Sequence, residues 1–141
     1  MNRAVIISLA VAVAVAAYVL YPRSKAVEPV ASNTGVALVS VTLPQSLSEN
    51  AQIGARVYEA KCLVCHGPNA EGQDGVAPPL VHKIYEPSHH GDEAFQRAVS
   101  QGVRAHHWRF GDMPPVQGLS RADVAMIISY VRELQIANGI R

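Results

Sequence analysis

Two cysteines and a histidine stand close enough in the sequence to bind one prosthetic group together. They form the run CLVCH, residues 62–66. Two thiols three positions apart can add to the two vinyl groups on one side of a haem, and the histidine that follows can then ligate the haem iron. The sequence therefore predicts one haem c, bound covalently through Cys62 and Cys65, with His66 as an axial iron ligand.

Other uses of these cysteines each lack a feature that they need. A structural zinc site needs four ligands, usually two pairs of cysteine or histidine, and the chain has only 2 cysteines. A thioredoxin-like pair lies in a βαβ context, whereas a helical pattern precedes this run and a loop rich in glycine and proline follows it. A plain disulfide stays open as an alternative, but it leaves the adjacent His66 without a role.

A second iron ligand stands in a stiff turn. Met113 lies in the stretch FGDMPP, residues 110–115. Its thioether is a soft donor, suited to iron that cycles between Fe(II) and Fe(III). Most methionines fill cores, and we interpret Met126, on a helical pattern, in that way. Because a glycine and two prolines restrict the backbone around Met113, we predict that it is the sixth ligand, opposite His66.

With these ligands assigned, residues 47–141 resemble the class I monohaem c-type cytochrome family. The matching residues are Gly54, Val57 and Tyr58, then Cys62-x-x-Cys65-His66-Gly67, Pro78-Pro79-Leu80, Met113-Pro114 and Tyr130. The resemblance implies that the first and last helices cross closely. It also implies that a proline carbonyl accepts the N–H of the proximal histidine, which by position is the carbonyl of Pro78, with Pro79 as the alternative.

Three helices are predicted from the residues themselves. The first runs from Ser48 to about Lys61, with Ser46 or Ser48 as its cap and with apolar residues at helical spacing, namely Ile53, Val57 and Ala60. Gly54 inside it costs about 1 kcal/mol relative to alanine. A glycine at this position indicates that another helix approaches its backbone closely.

The other two helices lie on either side of the Met113 loop. One is predicted from about Asp92 to Gln101, with Gly102 as its stop. The last is predicted over residues 121–137, with Ser120 and Asp123 at its start and an apolar stripe of Val124, Ile127, Ile128, Val131 and Leu134. The segments between helices are predicted as long loops packed around the haem. The domain at 48–141 is thus expected to be all-α, with three main helices.

An uncharged run of eighteen residues, Ala4 to Tyr21, lies near the amino terminus. As a helix it would be about 27 Å long, close to the thickness of a bilayer core. A cleaved signal peptide is the alternative, with small residues for cleavage at 14–16 or 24–26. The run exceeds a usual signal core, so residues 1–25 are predicted as a single-pass transmembrane anchor. The haem domain would then lie on the periplasmic side of the inner membrane.

Residues 26–47 are predicted as a linker, because they are rich in small residues and proline and show no helical period. The alternative for Val36 to Leu43 is a short extended arm that lies on the domain. Beyond residue 44 there are nine Lys/Arg and ten Asp/Glu residues, so the domain offers no basic surface for nucleic acid. Arg104, Trp108 and Arg109 are predicted to bind the haem propionates, because guanidinium and indole N–H groups satisfy buried carboxylates.

Two histidine pairs, His89-His90 and His106-His107, stand apart from the haem run. They could bind a metal ion or the haem propionates. Adjacent residues rarely point the same way, so each pair is expected to offer about one ligand. Solvated or capping histidines are therefore favoured over a metal site.

Six-coordinate iron leaves no open position for a substrate. The sequence therefore predicts a one-electron carrier, not an enzyme, that exchanges electrons with redox proteins of the same membrane or periplasm. Two alternatives stay open: a haem subunit of a larger membrane oxidoreductase, and a gas or ligand sensor in which Met113 is displaced from the iron.

Overall fold

The computed structural model describes residues 35–141. Within them the elements are α1 (Glu49–Lys61), α2 (Leu63–His66), a 3-10 turn (Lys83–Tyr85), α3 (Asp92–Gln101) and α4 (Arg121–Ala137). Extended segments in this part of the chain pair only as isolated bridges. The prediction of a mainly helical domain with three main helices is confirmed.

The predicted transmembrane anchor lies outside the described residues. Between residues 35 and 141, none of the helices combines the length and the apolar content that crossing a bilayer requires.

Polar caps start α1 and α4 where the sequence predicts them. Ser48 Oγ accepts a hydrogen bond from Ala51 N (3.3 Å) at the start of α1. At the start of α4, Ser120 and Asp123 form a capping box, in which each side chain accepts from the other residue's backbone N–H. Each box of this kind satisfies two donors that a helix start leaves without partners. The local sequence thus fixes the starts of both helices.

Helices α1 and α4 cross at backbone contact. A Cβ built on Gly54 would overlap the carbonyl group of Met126 and lie 3.0 Å from Ile127 N. The predicted close approach at Gly54 is therefore confirmed, and any larger residue there must push the helices apart.

The buried face of α1 is not the one that its apolar spacing indicates. Ile53 is 37% exposed and Ala60 is also exposed, so two of the three residues whose spacing predicted the helix lie on its outer side. Because Gly54 must face α4, the residues three before and four after it share that face. These are Ala51 and Tyr58, at 0% and 1% exposure.

The core lies along this crossing. The rings of Tyr58 and Tyr130 have centroids 5.4 Å apart and tilt at 57°. Around them pack Ala51, three residues of the predicted α4 stripe and two loop residues. The buried cluster is Ala51, Tyr58, Ala70, Val81, Ile127, Tyr130, Val131 and Leu134. The crossing thus forms the platform on which the loops rest.

Residues 35–47 lie on the domain as an extended arm. Ala37 pairs with Gln73, and Gly35 N donates to Gln73 Oε1 (2.8 Å). Thr42 and Asn138 exchange two hydrogen bonds of 2.9 Å each. The extended arm given as the alternative for Val36 to Leu43 is therefore found, because backbone polar groups of this segment have partners on the domain. Residues 26–34 of the predicted linker lie outside the described residues.

Candidate haem-binding site

A single helical turn holds the two cysteines and the adjacent histidine. The carbonyl of Cys62 accepts hydrogen bonds from Cys65 N (3.1 Å) and His66 N (2.9 Å). Residues three and four positions apart lie on the same side of such a turn, so both thiols and the imidazole share one side. Neither thiol is in a disulfide, and Cys65 is exposed. Burial and, to a lesser extent, the neighbouring Cys65 raise the pKa of Cys62 to about 11, so it is a protonated thiol at neutral pH.

His66 is held in one protonation state. Only 8% of it is exposed, and its Nδ1 lies 2.8 Å from the carbonyl oxygen of Pro78. A carbonyl can only accept, so Nδ1 carries the proton and the lone pair is on Nε2. Burial lowers the pKa of His66, against the smaller effect of the Pro78 contact, and favours the neutral ring. A neutral imidazole fixed by such a hydrogen bond is the form in which histidine ligates metals.

The loop after His66 folds back on itself to bring Pro78 to the histidine. Gly72 N donates to His66 O (2.8 Å). Gly72 has φ +73°, and a Cβ there would meet the backbone of Pro78 and Pro79. Close contact of the two backbones, which only glycine permits here, thus places the Pro78 carbonyl at His66.

Two further side chains fix this turn, and only the first of them, Tyr58, was singled out by the sequence pattern. Tyr58 OH donates to Gly67 O (2.8 Å) in the core. Gln73, 2% exposed, donates through Nε2 to the carbonyls of Leu63 (3.3 Å) and Val64 (3.0 Å). Gln73 was not predicted, because a lone glutamine in a loop gives no signal of burial.

Met113 stands on a separate loop with a fixed backbone. Val103 and Met113 exchange two backbone hydrogen bonds of 2.9 Å each. Within the loop they close, Asp112 Oδ1 accepts from Ala105 N (2.8 Å), and Gly111 adopts φ +90°. Met113 itself is half-buried. The sequence predicted a rigid backbone at Met113 from the glycine and prolines around it. The hydrogen bonds that close and cross the loop agree with this prediction.

The three predicted propionate partners lie in different environments. Arg104 and Arg109 are exposed, whereas the Trp108 ring packs between His82 (centroids 5.2 Å) and Phe110 (5.8 Å). Burial raises the pKa of Tyr85, and the nearby Trp108 N–H opposes this rise. The hydroxyl of Tyr85 lies near the Trp108 N–H, but the two groups do not have the geometry of a hydrogen bond. Trp108 Nε1 is therefore a buried donor without a partner among the described residues.

An unpaired buried donor costs about 1–3 kcal/mol, so an acceptor is expected beside Trp108. The carboxylate of a haem propionate has the required chemistry. The residues present therefore fit a haem. His66 has a free lone pair on Nε2, two free thiols lie beside it, and Trp108 offers a donor for a propionate.

A sequence model of the cytochrome c family matches residues 51–135. The chain belongs to the cytochrome c family. The match runs from α1 into α4, and it includes the CLVCH run and Met113. Membership of this class I family implies a covalently bound haem c with its iron, and Cys62 and Cys65 are compatible with its attachment. A haem-based electron carrier is the function that the family supports.

Two residues of α4 tie the loops of this cytochrome c to the helical platform. Arg132 donates through Nη1 to Tyr85 O (2.7 Å) and through Nη2 to His90 O (2.6 Å). Gln135, fully buried, donates to Leu80 O (2.9 Å) and Tyr85 O (3.0 Å). Neither residue was predicted, although a glutamine directly after Leu134 of the apolar stripe is a signal that could have indicated the role of Gln135.

Proposed function

We propose that this cytochrome c is a one-electron carrier with a single haem c whose iron is ligated by His66 and Met113. When bound, the haem supplies reversible exchange between Fe(II) and Fe(III). The observation that carries the proposal is the hydrogen bond from His66 Nδ1 to Pro78 O. It leaves Nε2 free to bind iron and fixes the direction in which the ring points.

The remaining residues of the site hold and shield the group. Cys62 and Cys65 would bind it covalently from the side of the helical turn that His66 shares. Met113 would supply a thioether from its own loop, a donor that favours Fe(II) and so raises the reduction potential. Trp108 would donate to a propionate, with the exposed Arg104 and Arg109 as outer partners. With His66 and Met113 both bound to the iron, the site would transfer electrons and would leave no position for a substrate.

Substitution of Met113 and of Met126 tests the ligand assignment. In the haem-loaded protein, Met113→Ala should retain covalent haem, lower the reduction potential and permit carbon monoxide binding to the reduced form. Met126→Leu is the matched control, because Met126 lies on α4, and it should leave spectrum and potential unchanged. A Met113→Ala spectrum identical to that of the wild type, with no carbon monoxide binding, would exclude Met113 as the ligand. Carbon monoxide binding by the wild type would instead favour a ligand sensor.

We also propose that residues 1–25 anchor the domain to the inner membrane, with the haem domain in the periplasm and with redox proteins of that membrane as partners. The uncharged run Ala4 to Tyr21 supports this. An anchored protein should resist extraction by high salt and yield to detergent, because apolar burial holds it. A mature amino terminus at Ala17 or Val27, measured by intact mass, would replace the anchor with a cleaved signal.

A further inference from the structure

Four histidines from two separate loops meet at one corner of the domain. The ring centroids of His89 and His90 are 4.7 Å apart, and those of His106 and His107 are 4.2 Å apart. Across the loops, His107 lies 5.4 Å from His89 and 5.3 Å from His90. The expectation that each pair offers about one ligand is wrong for the first pair, because both of its rings turn toward His107.

We propose that His89, His90 and His107 form a binding site for a divalent transition-metal ion. One ring nitrogen from each of the three lies within 4.8 Å of the other two. Nitrogens that share a Zn²⁺ or Cu²⁺ ion at about 2.0–2.1 Å lie about 3–4 Å apart, so small side-chain rotations close the site. Imidazole donors suit copper, zinc and nickel, and Cu²⁺ binds such sites most tightly.

The surroundings of His90 are those of a metal ligand. Its Nδ1 donates to Ile84 O (2.6 Å), so its Nε2 is the atom left for a metal. Ligating histidines usually donate their second ring N–H to a carbonyl in this way, which fixes the tautomer and the ring orientation. The fourth histidine differs, because His106 Nδ1 contacts Arg104 O (2.8 Å) within its own loop and His106 is not among the three grouped nitrogens.

The backbone that carries the first pair is fixed before any metal binds. The N–H groups of His89 and His90 donate to Glu86 O (3.0 and 2.8 Å). Arg132 Nη2 donates to His90 O (2.6 Å), which attaches this turn to α4. His107 comes instead from the Met113 loop. A metal ion at this site would therefore join the Met113 loop to a turn that α4 already holds.

Calorimetric titration of the haem-loaded, tag-free protein with ZnCl₂ and with CuCl₂ tests the site. The wild type should bind one ion of each, Cu²⁺ more tightly. Removal of a residue that only orients a metal ligand weakens metal binding by up to ~100-fold. His107→Gln removes a ligand itself, so it should weaken binding by at least that factor. His106→Gln is the matched control, since it changes the adjacent exposed histidine, and its affinity should stay within about threefold of the wild type.

A second measurement reports on the ligands directly. Cu²⁺ bound to the wild type should show electron paramagnetic resonance splitting from coordinated nitrogen, and His90→Gln should lose part of it. Equal weakening by His106→Gln and His107→Gln would overturn the three-residue assignment. Absence of saturable binding of one ion per chain, or unchanged affinity in His107→Gln, would overturn the site altogether.

Discussion

A methyl group added at Gly54 probes the crossing of α1 and α4. In Gly54→Ala, the obstacles to the new Cβ are the Met126 carbonyl and Ile127 N, all backbone atoms of α4. Since no side-chain rotation can relieve the overlap, the helices must separate. Overpacking of this kind costs about 3 kcal/mol or more, at the top of its usual range. The better helix propensity of alanine returns about 1 kcal/mol. We expect a net loss of about 2 kcal/mol or more in the free energy of unfolding.

Urea and thermal unfolding of the haem-loaded protein, followed by far-ultraviolet circular dichroism, measure this loss. A fall of about 10 °C in the melting temperature corresponds to it in a domain of this size. Gly91→Ala is the matched control, because Gly91 has φ −62° and a Cβ there would lie 3.6 Å from its nearest neighbour, Pro87 O. Its change should not exceed about 1 kcal/mol. If Gly54→Ala unfolds at the same urea concentration as the wild type, the helices do not touch at this glycine.

Three further changes test the site and its support. Tyr58→Phe removes one of two donors to Gly67 O, which keeps the longer hydrogen bond from Ala70 N (3.3 Å). Unfolding experiments should therefore show a loss of about 0.5–1.5 kcal/mol, and an unaffected stability would contradict the contact. Cys62→Ser combined with Cys65→Ser should abolish haem that survives denaturing electrophoresis, and persistence of haem on the double variant would refute covalent attachment through these thiols. Hydrogen bonds from the side chain and the backbone of Ser120 hold the pKa of Asp123 below its ordinary value. The Asp123 carboxylate therefore stabilises the fold above about pH 4. This contribution is lost as the pH falls through the lowered pKa. Asp123→Asn should therefore be less stable than the wild type at pH 7 and should approach it at pH 3 in urea unfolding, whereas a difference independent of pH would contradict the assignment.

The parts of the fold that sequence predicted are those with local signals. The limits of α4 follow from a serine and an aspartate at its start and an apolar stripe behind them. The approach at Gly54 follows from the cost of a glycine inside a helix. The spacing of apolar residues predicted α1 but did not identify its buried face, because that face is set by where α4 can approach and Ile53 lies outside it.

The rest depends on contacts between distant segments. Arg132 reaches the carbonyls of Tyr85 and His90, which are 47 and 42 positions away in the sequence. Every residue has a backbone carbonyl, so the sequence does not show which carbonyl a side chain such as that of Arg132 will bind. The grouping of His107 with His89 and His90 arises in the same way, from two loops that only the folded chain brings together. The haem site differs, because two cysteines and one histidine of the site lie within the five consecutive residues 62–66 and could be predicted from the sequence.

The paired hydrogen bonds between Thr42 and Asn138 join residues 96 positions apart in the sequence. They bring the beginning and the end of the domain to the same place on its surface. Domains built in this way tolerate insertion into a host loop and circular permutation. The order of the helices along the chain could therefore be changed without changing their arrangement in space. An engineer could join the two ends with a short peptide and open the chain at the turn of Gly75, where a Cβ would meet no atom within 4 Å.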